Sequence, residues 1–286
     1  MSVKFSVVVP AYARPEQLAQ CLARLAPGVQ TFAASDYEVI VTDDSKDTSV
    51  KDLVQARFSW AKWTAGPKHG PAANRNHGAA QANNEWLAFT DDDCLPEPGW
   101  LAAFAFALAE SGNTAPDVME GRTFPDRPQR SLAERAPLNS HGGYLWSCNL
   151  AVRTELFQQL GGFDTGFPYA AMEDVEFALR LRANQAKEKF VPAASVCHPW
   201  REINGFRAMW QVEDKHLASV KYFLQHHPEA WPNHTPLAYL KNNLRQFIRN
   251  TLPELWRWHG RGATVALAWH LHTLVNSFVM LKKPTT

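Results

Sequence analysis

Cysteine is scarce in this 286-residue sequence, and the four present, Cys21, Cys94, Cys148 and Cys197, lie far apart with no CxxC spacing. Nothing therefore argues for a disulfide framework, and reduced thiols in a cytoplasmic protein are the simplest reading. A charge excess is also lacking, because 29 Lys and Arg face 28 Asp and Glu. No net field favours nucleic acid or a strongly basic partner surface, so binding has to be local. Long uninterrupted apolar runs are missing too. The one membrane-like stretch, 263–281, is broken by His270, His272 and Asn276, which suits a buried or interfacial helix better than a spanning one. At the start, Val3-Lys4-Phe5-Ser6 leads into a short apolar strand in place of a signal peptide.

What is present is an alternation of β-branched apolar runs with longer amphipathic stretches, the pattern of a βαβ sheet. Strands are expected at 5–9, 37–41, near 60–63 and at 86–89, with helices opening at Arg14-Pro15, at Ser49 and at Gly70-Pro71. From Val118 to Arg153 the chain is rich in Pro, Arg and Gly, and reads as a loop or lid that ends in a short strand at 145–152. A helix at 154–160 stops at Gly161-Gly162, and a second, at 173–183, turns Val175, Phe177, Leu179 and Leu181 partly inward. The last strand is expected at 189–196. Beyond His198 six of the eleven Trp and seven of the eleven His fall among expected helices punctuated by Pro228, Pro232 and Pro253. The expected organisation is an α/β domain over 1–200 and a helical appendage over 201–286. Aromatic packing between helices explains that enrichment, as would a membrane-facing or acceptor-binding surface.

The most informative stretch is Phe89-Thr90-Asp91-Asp92-Asp93, in which an apolar strand runs into three consecutive carboxylates. Ionised at spacings of a few Å they repel one another, and a divalent cation with oxygen ligands is the usual counterweight. A solvated turn or a helix N-cap would use the same letters. Position at the carboxyl end of a strand favours a ligand site. A second acidic strand end follows the same logic at Thr42-Asp43-Asp44-Ser45, where any of Asp43, Asp44 or Ser45 can also supply an ordinary turn.

Five patterns occur in order: Val7-Val8-Val9-Pro10-Ala11-Tyr12-Ala13-Arg14-Pro15, Val41-Thr42-Asp43-Asp44-Ser45, Gly70-Pro71-Ala72-Ala73-Asn74-Arg75-Asn76, Phe89 to Asp93, and Gly161-Gly162-Phe163-Asp164 leading to Glu173-Asp174. Together they resemble family 2 glycosyltransferases of the GT-A fold, a Rossmann-like mixed sheet flanked by helices, over roughly residues 4–200. The resemblance implies an inverting transfer from a nucleotide diphosphate sugar, a UDP-sugar before others, to a glycan or lipid-linked acceptor. It places the nucleoside against Pro10, Tyr12, Arg14, Asp44, Gly70 and Arg75, with Asp92 facing the ribose or the surroundings of the ion. It gives Mg²⁺ or Mn²⁺ to Asp93, with Asp91 at the other end of the same acidic element and His198 completing the site. Asp174 becomes the base that takes the acceptor proton, beside Glu173, and Trp146 and Asn149 become the floor of the donor and acceptor pocket. A buried strand with one exposed Trp accounts equally for those last two.

Two departures from the family pattern bear on the donor sugar: Thr42 to Lys46 lacks the common Gly, and Ala170-Ala171-Met172 stands where many relatives carry Gly or Trp. Two rival readings remain. A nucleotidyltransferase acting on sugar phosphates would need a glycine-rich phosphate loop, and Ala11-Tyr12-Ala13-Arg14 contains no glycine. A catalytically silent carbohydrate-binding protein would have no use for both Asp93 and Asp174. Peripheral association with the cytoplasmic face of a membrane is the remaining expectation for the helical region.

Overall fold

Phe5–Ala11 form β1, a strand in which every residue is buried. The computed structural model describes residues 3–230 and 235–279. Along β1, Phe5, Val7 and Val9 join one apolar cluster while Val8 joins another, as the two-residue period of a strand covered on both faces requires. Pro10 does not end the strand. The Thr90 amide donates to the Val8 carbonyl, so Val8 and, two residues on, Pro10 face β4 (Trp86–Phe89), whose pairing with β1 stops at Val8. The proline nitrogen thus costs no ladder bond.

Around β1, β2 (Tyr37–Asp43), β3 (Lys62–Ala65) and β4 run parallel. They are connected by helices α1 (Pro15–Leu25), α2 (Ser49–Arg57) and α3 (Pro71–Ala79). Leu18, Cys21, Leu22 and Leu25 form the buried face of α1, as its spacing predicts. The strands β5 (Leu95–Pro96), β6 (Val118–Phe124), β8 (Leu150–Arg153) and β9 (Glu188–Cys197) complete a mixed sheet of order β3-β2-β1-β4-β8-β6-β9-β5. Helix α5 (Thr154–Gln159) follows β8, and α6 (Glu173–Ala183) precedes β9.

Two expectations need correction, and one helix goes beyond them. Val118–Phe124 is not part of a lid but an internal strand between β8 and β9. Its letters mislead because Glu120 and Thr123 are buried. The Glu120 carboxylate accepts the amides of Gly143, Tyr144 and Leu145 and the side chain of Asn139, which fixes the loop that follows. Trp100–Ala109 forms a further helix, α4, apolar nearly all round and so without the one-sided stripe that marks a helix in sequence. In α6, Phe177 and Leu181 point inward but Val175 is exposed; its place among the buried residues is taken by Glu173, Glu176 and Ala178.

The chain divides into two compact units. The first holds the sheet and runs to Asp126, with Pro137–Gly166 and Glu173–Pro199. The second comprises Arg127–Ala136, Phe167–Met172 and the chain from Trp200 onward. It contains a two-stranded ribbon of β7 (Glu134–Arg135) with β10 (Arg201–Glu202), and helices α7 (Gly205–His226), α8 (Pro236–Gln246), α9 (Leu252–Arg257) and α10 (Ala263–Val279). A π-helical turn, Phe247–Thr251, joins α8 to α9. Its apolar cluster is built on Ala133, Met209, Val265 and Ala268. His272 Nε2 lies 2.8 Å from Asp214 Oδ1 and His270 Nε2 lies 2.9 Å from Thr251 Oγ1, so the polar residues that interrupt the 263–281 run make ties within this unit. Among the described residues no helix is long and apolar enough to cross a membrane. Trp231, Pro232, His234 and residues 280–286 of the expected helical region lie outside the described residues.

Candidate active site

The carboxyl ends of β1, β2 and β4 meet, and the acidic residues of the sequence gather there. At the end of β2 the two aspartates separate. Asp43 makes the turn: Oδ1 accepts the Ser45 amide at 2.8 Å and Oδ2 the Trp63 indole at 3.2 Å. Asp44, buried, receives the Lys68 amide at 2.8 Å and closes the loop that ends at Gly70. Burial pushes its carboxyl above the usual range, partly offset by the Lys68 and Gly70 amides. A Cβ at Gly66 would collide with the side chains of Asp44 and Asn74, which is why the backbone can pass so close. The strand end is therefore shaped around one carboxylate, with Tyr12 half exposed on the β1 end.

Helix α3 anchors the site through residues whose roles the sequence did not reveal. Asn74, buried, receives the Thr42 hydroxyl at 2.7 Å and donates to the Thr42 carbonyl at 2.9 Å. Asn76 exchanges bonds of 2.7 and 2.9 Å with the Phe163 backbone. Gly162, at φ +70°, leaves the room that Asn76 Oδ1 fills. The Gly161-Gly162-Phe163 motif is thereby clamped to the Gly70-Pro71 motif.

The three aspartates after β4 face different ways. Asp91 Oδ1 meets Arg75 Nη2 at 2.6 Å, and Arg75 Nη1 reaches Glu173 Oε1 at 3.2 Å. Arg75 is buried, so it is neither a surface charge nor laid open to a nucleoside: it ties the acidic run to α6. Asp92 accepts the Tyr12 amide at 3.3 Å and pairs with Arg14 Nη2 at 3.0 Å, while Asp93 Oδ2 pairs with Arg14 Nη1 at 2.6 Å. Arg14, expected against the nucleoside, thus acts here as the counter-charge of Asp92 and Asp93.

Asp93 Oδ1 lies 3.7 Å from His198 Nε2. The His198 ring is buried and its Nδ1 sits 3.1 Å from the Pro199 carbonyl. A proton on Nδ1 satisfies that contact, and Nε2 is the ring nitrogen turned toward Asp93. Two ligands each about 2.1 Å from one ion can stand this far apart, so the pair fits a divalent cation. Asp93, Cys94 and His198 form a buried group with the spacing of metal ligands. The hydrogen bond with Cys148, and then burial, hold the Cys94 thiol protonated well above its ordinary value. Mg²⁺ and Mn²⁺ favour the carboxylate and the imidazole of this group over the thiol. Asp91 does not belong to that group: its carboxylate is turned to Arg75, which corrects its expected place among the ligands.

Glu173 and Asp174 open α6. Glu173 is buried and bound to Arg75, with Oε2 making no hydrogen bond. Asp174 accepts the Val175 amide at 2.8 Å and the Ser147 amide. Its carboxyl is pushed up to about 7, by burial first and then by the Glu173 charge, against the opposing pull of Arg75. A carboxyl poised there can hold or release a proton near neutrality.

Asn149 is not a pocket residue. Its Oδ1 accepts the Trp100 indole at 2.8 Å and its amide donates to the Arg122 and Ala194 carbonyls, both at 3.0 Å. With its polar atoms committed to the core, it has nothing to offer a sugar hydroxyl. Trp146 is half-buried and stacks on Tyr144, ring centroids 4.4 Å apart, and Tyr144 is the more exposed ring of the two.

Residues 6–170 match the profile of glycosyl transferase family 2. The chain belongs to that family. The matched span includes the three strand ends and stops short of Glu173, Asp174 and His198. Over 213 residues, 68% of this chain and 67% of the relative, it is 31% identical to glycosyltransferase AglE of Haloferax volcanii. It is 29% identical to the poly(ribitol-phosphate) beta-N-acetylglucosaminyltransferase TarS of Staphylococcus aureus over 64% of this chain, but over only 33% of TarS. The structure of TarS residues 1–349 in complex with UDP superposes with a TM-score of 0.55 at 24% identity, covering 74% of this chain and 65% of that one. GalNAc-T7 with UDP, GalNAc and Mn²⁺ gives 0.56 at 18% identity, over 70% and 43%. These likenesses show that this family 2 enzyme has the GT-A fold, and the match removes the reading as a nucleotidyltransferase.

Proposed function

We propose that this glycosyltransferase moves a sugar from a nucleoside diphosphate sugar, most simply a UDP-sugar, to a hydroxyl of a glycan or lipid-linked acceptor, with inversion. The observation that carries the reading is Asp174, a half-buried carboxyl pushed up to about 7 next to Glu173 and Arg75, the arginine that also holds Asp91 of the acidic run. Direct displacement needs such a group. As the acceptor oxygen bonds to the anomeric carbon, its proton passes to Asp174, and the bond from that carbon to the phosphate oxygen breaks with its electron pair on the departing nucleoside diphosphate. In this reading Asp44 would accept an imide N–H of the base and Tyr12 would lie against its ring. Asp93 and His198 would hold Mg²⁺ or Mn²⁺, which when bound offsets the charge left on the diphosphate. The UDP in the TarS structure and the UDP and Mn²⁺ in that of GalNAc-T7 support the choice of donor and ion.

Thermal unfolding with a panel of UDP-, GDP- and dTDP-sugars and added Mn²⁺ tests the reading. A ligand at 100 times its Kd stabilises by about 2.7 kcal/mol, so the cognate nucleotide should raise Tm visibly. No response to any nucleotide removes the proposal. Replacing His198 by Ala should weaken Mn²⁺ affinity, followed by the metal dependence of nucleotide binding, by at least about tenfold. An unchanged titration would take His198 out of the site.

A further inference from the structure

Eleven of the twenty exposed large apolar side chains among the described residues fall within 237–275. Leu240, Leu244, Ile248, Leu252 and Trp256 recur at every fourth position and are 41, 58, 54, 53 and 87% exposed. In a regular α-helix such a row drifts around the axis by about 40° per step. Here the π turn at Phe247–Thr251 interrupts the helix in mid-row, and its wider turn takes up part of the drift. A basic row runs beside it: Lys241, Arg245 and Arg249, each one residue after an apolar one, are all exposed. Arg257 and Arg261 continue the basic character, and Glu254 is the one acidic residue in 236–261. Within the same unit α10 exposes Leu267, Leu271 and Val275 at the same spacing.

We infer that the α8–α9 face is a membrane-docking surface that lies on an anionic lipid bilayer, apolar row among the acyl chains and basic row at the headgroups. The segment has the composition of an interfacial helix: a broad apolar strip, a cationic strip, and Trp256 at one end. It does not span, since no described helix is long and apolar enough. A second copy of the chain fits poorly, because a two-fold contact would set the basic row against itself. Branched aliphatic side chains give a nucleic acid nothing to pair with. The inference is independent of the donor reading, since it uses no residue of the first unit.

Flotation of the full chain with vesicles of phosphatidylcholine alone, and of phosphatidylcholine mixed with phosphatidylglycerol, tests it. Binding is expected to the mixed vesicles, at least about tenfold weaker without the anionic lipid or at high salt. Leu244→Asp with Ile248→Asp should lose at least about tenfold. Lys241→Gln, Arg245→Gln and Arg249→Gln together should remove the salt dependence. All five positions are exposed, so unfolding temperature and nucleotide binding should stay as in the parent. Absence of flotation with mixed vesicles overturns the inference, as does a dimer in solution that Leu244→Asp dissociates, or retention on nucleic acid instead of lipid.

Discussion

Asp174→Asn should lower the transfer rate by about 10²–10⁴-fold while leaving the nucleotide Kd close to that of the parent. The substitution keeps size and the amide contacts on one oxygen but removes the carboxylate proposed to take the hydroxyl proton. The same variant should be more stable than the parent at pH 8. Asp174 has an ordinary value of 3.8 and stands near 7 in the folded chain, so between those values the folded state holds a proton that the unfolded state has lost. Stability from this group is therefore complete below about pH 4 and is lost as pH rises toward 7. Asn carries no such penalty. Its advantage should be full above pH 7 and shrink toward pH 4, amounting to several degrees, since about 1 kcal/mol moves Tm by roughly 2–4 °C in a chain of this size. In the parent, transfer should fall below pH 7 as Asp174 takes up its proton. Transfer by the variant at an ordinary rate, or a Tm difference unaffected by pH, would remove Asp174 from the role of base.

The parts of this site legible in sequence are those fixed within a few residues. Acidic letters after an apolar run mark a strand end, and the sheet brings those ends together whatever else the chain does. Glu173-Asp174 opens a helix because carboxylates suit the first turn, and the helix begins there. What stayed hidden depends on partners far along the chain. Arg75 reaches Glu173 across 98 positions, and Arg14 reaches Asp93 across 79, and nothing local separates either from an arginine that meets a phosphate. Asn149 looked like a sugar ligand because only the packed sheet shows Trp100 and the carbonyls of Arg122 and Ala194 using up its amide. The β6 strand was obscured by Glu120, a charge that a buried strand tolerates only because Gly143, Tyr144 and Leu145 turn their amides onto it. Sequence shows which groups are present, and long-range pairing decides which of them remain available for chemistry.

Arg75→Met should be the most destabilising single change in the site. The guanidinium is buried between Asp91 and Glu173, and removing one partner of a buried ionic group costs about 3–5 kcal/mol because the charges left behind are uncompensated. Methionine fills much of the volume, and the contact with the Phe163 ring, 5.9 Å from the guanidinium carbon, is largely replaced by apolar packing, so the loss is electrostatic in origin. That origin has a pH signature. Carboxylates without their cation hold protons more readily in the folded state, so the stability deficit by denaturant unfolding should be largest near pH 8 and smaller at pH 5. Catalysis should move in parallel. Arg75 pulls the Asp174 carboxyl down, so in the variant it rises above 7 and the acid limb of the rate profile shifts to higher pH. Activity lost at pH 7 should partly return near pH 9. Arg75→Lys keeps the charge without the two-pronged geometry and should fall between parent and Met variant in both respects. A deficit equal at pH 5 and pH 8, with the rate profile unmoved, would assign Arg75 to packing alone and cut the link between the acidic run after β4 and Asp174 on α6.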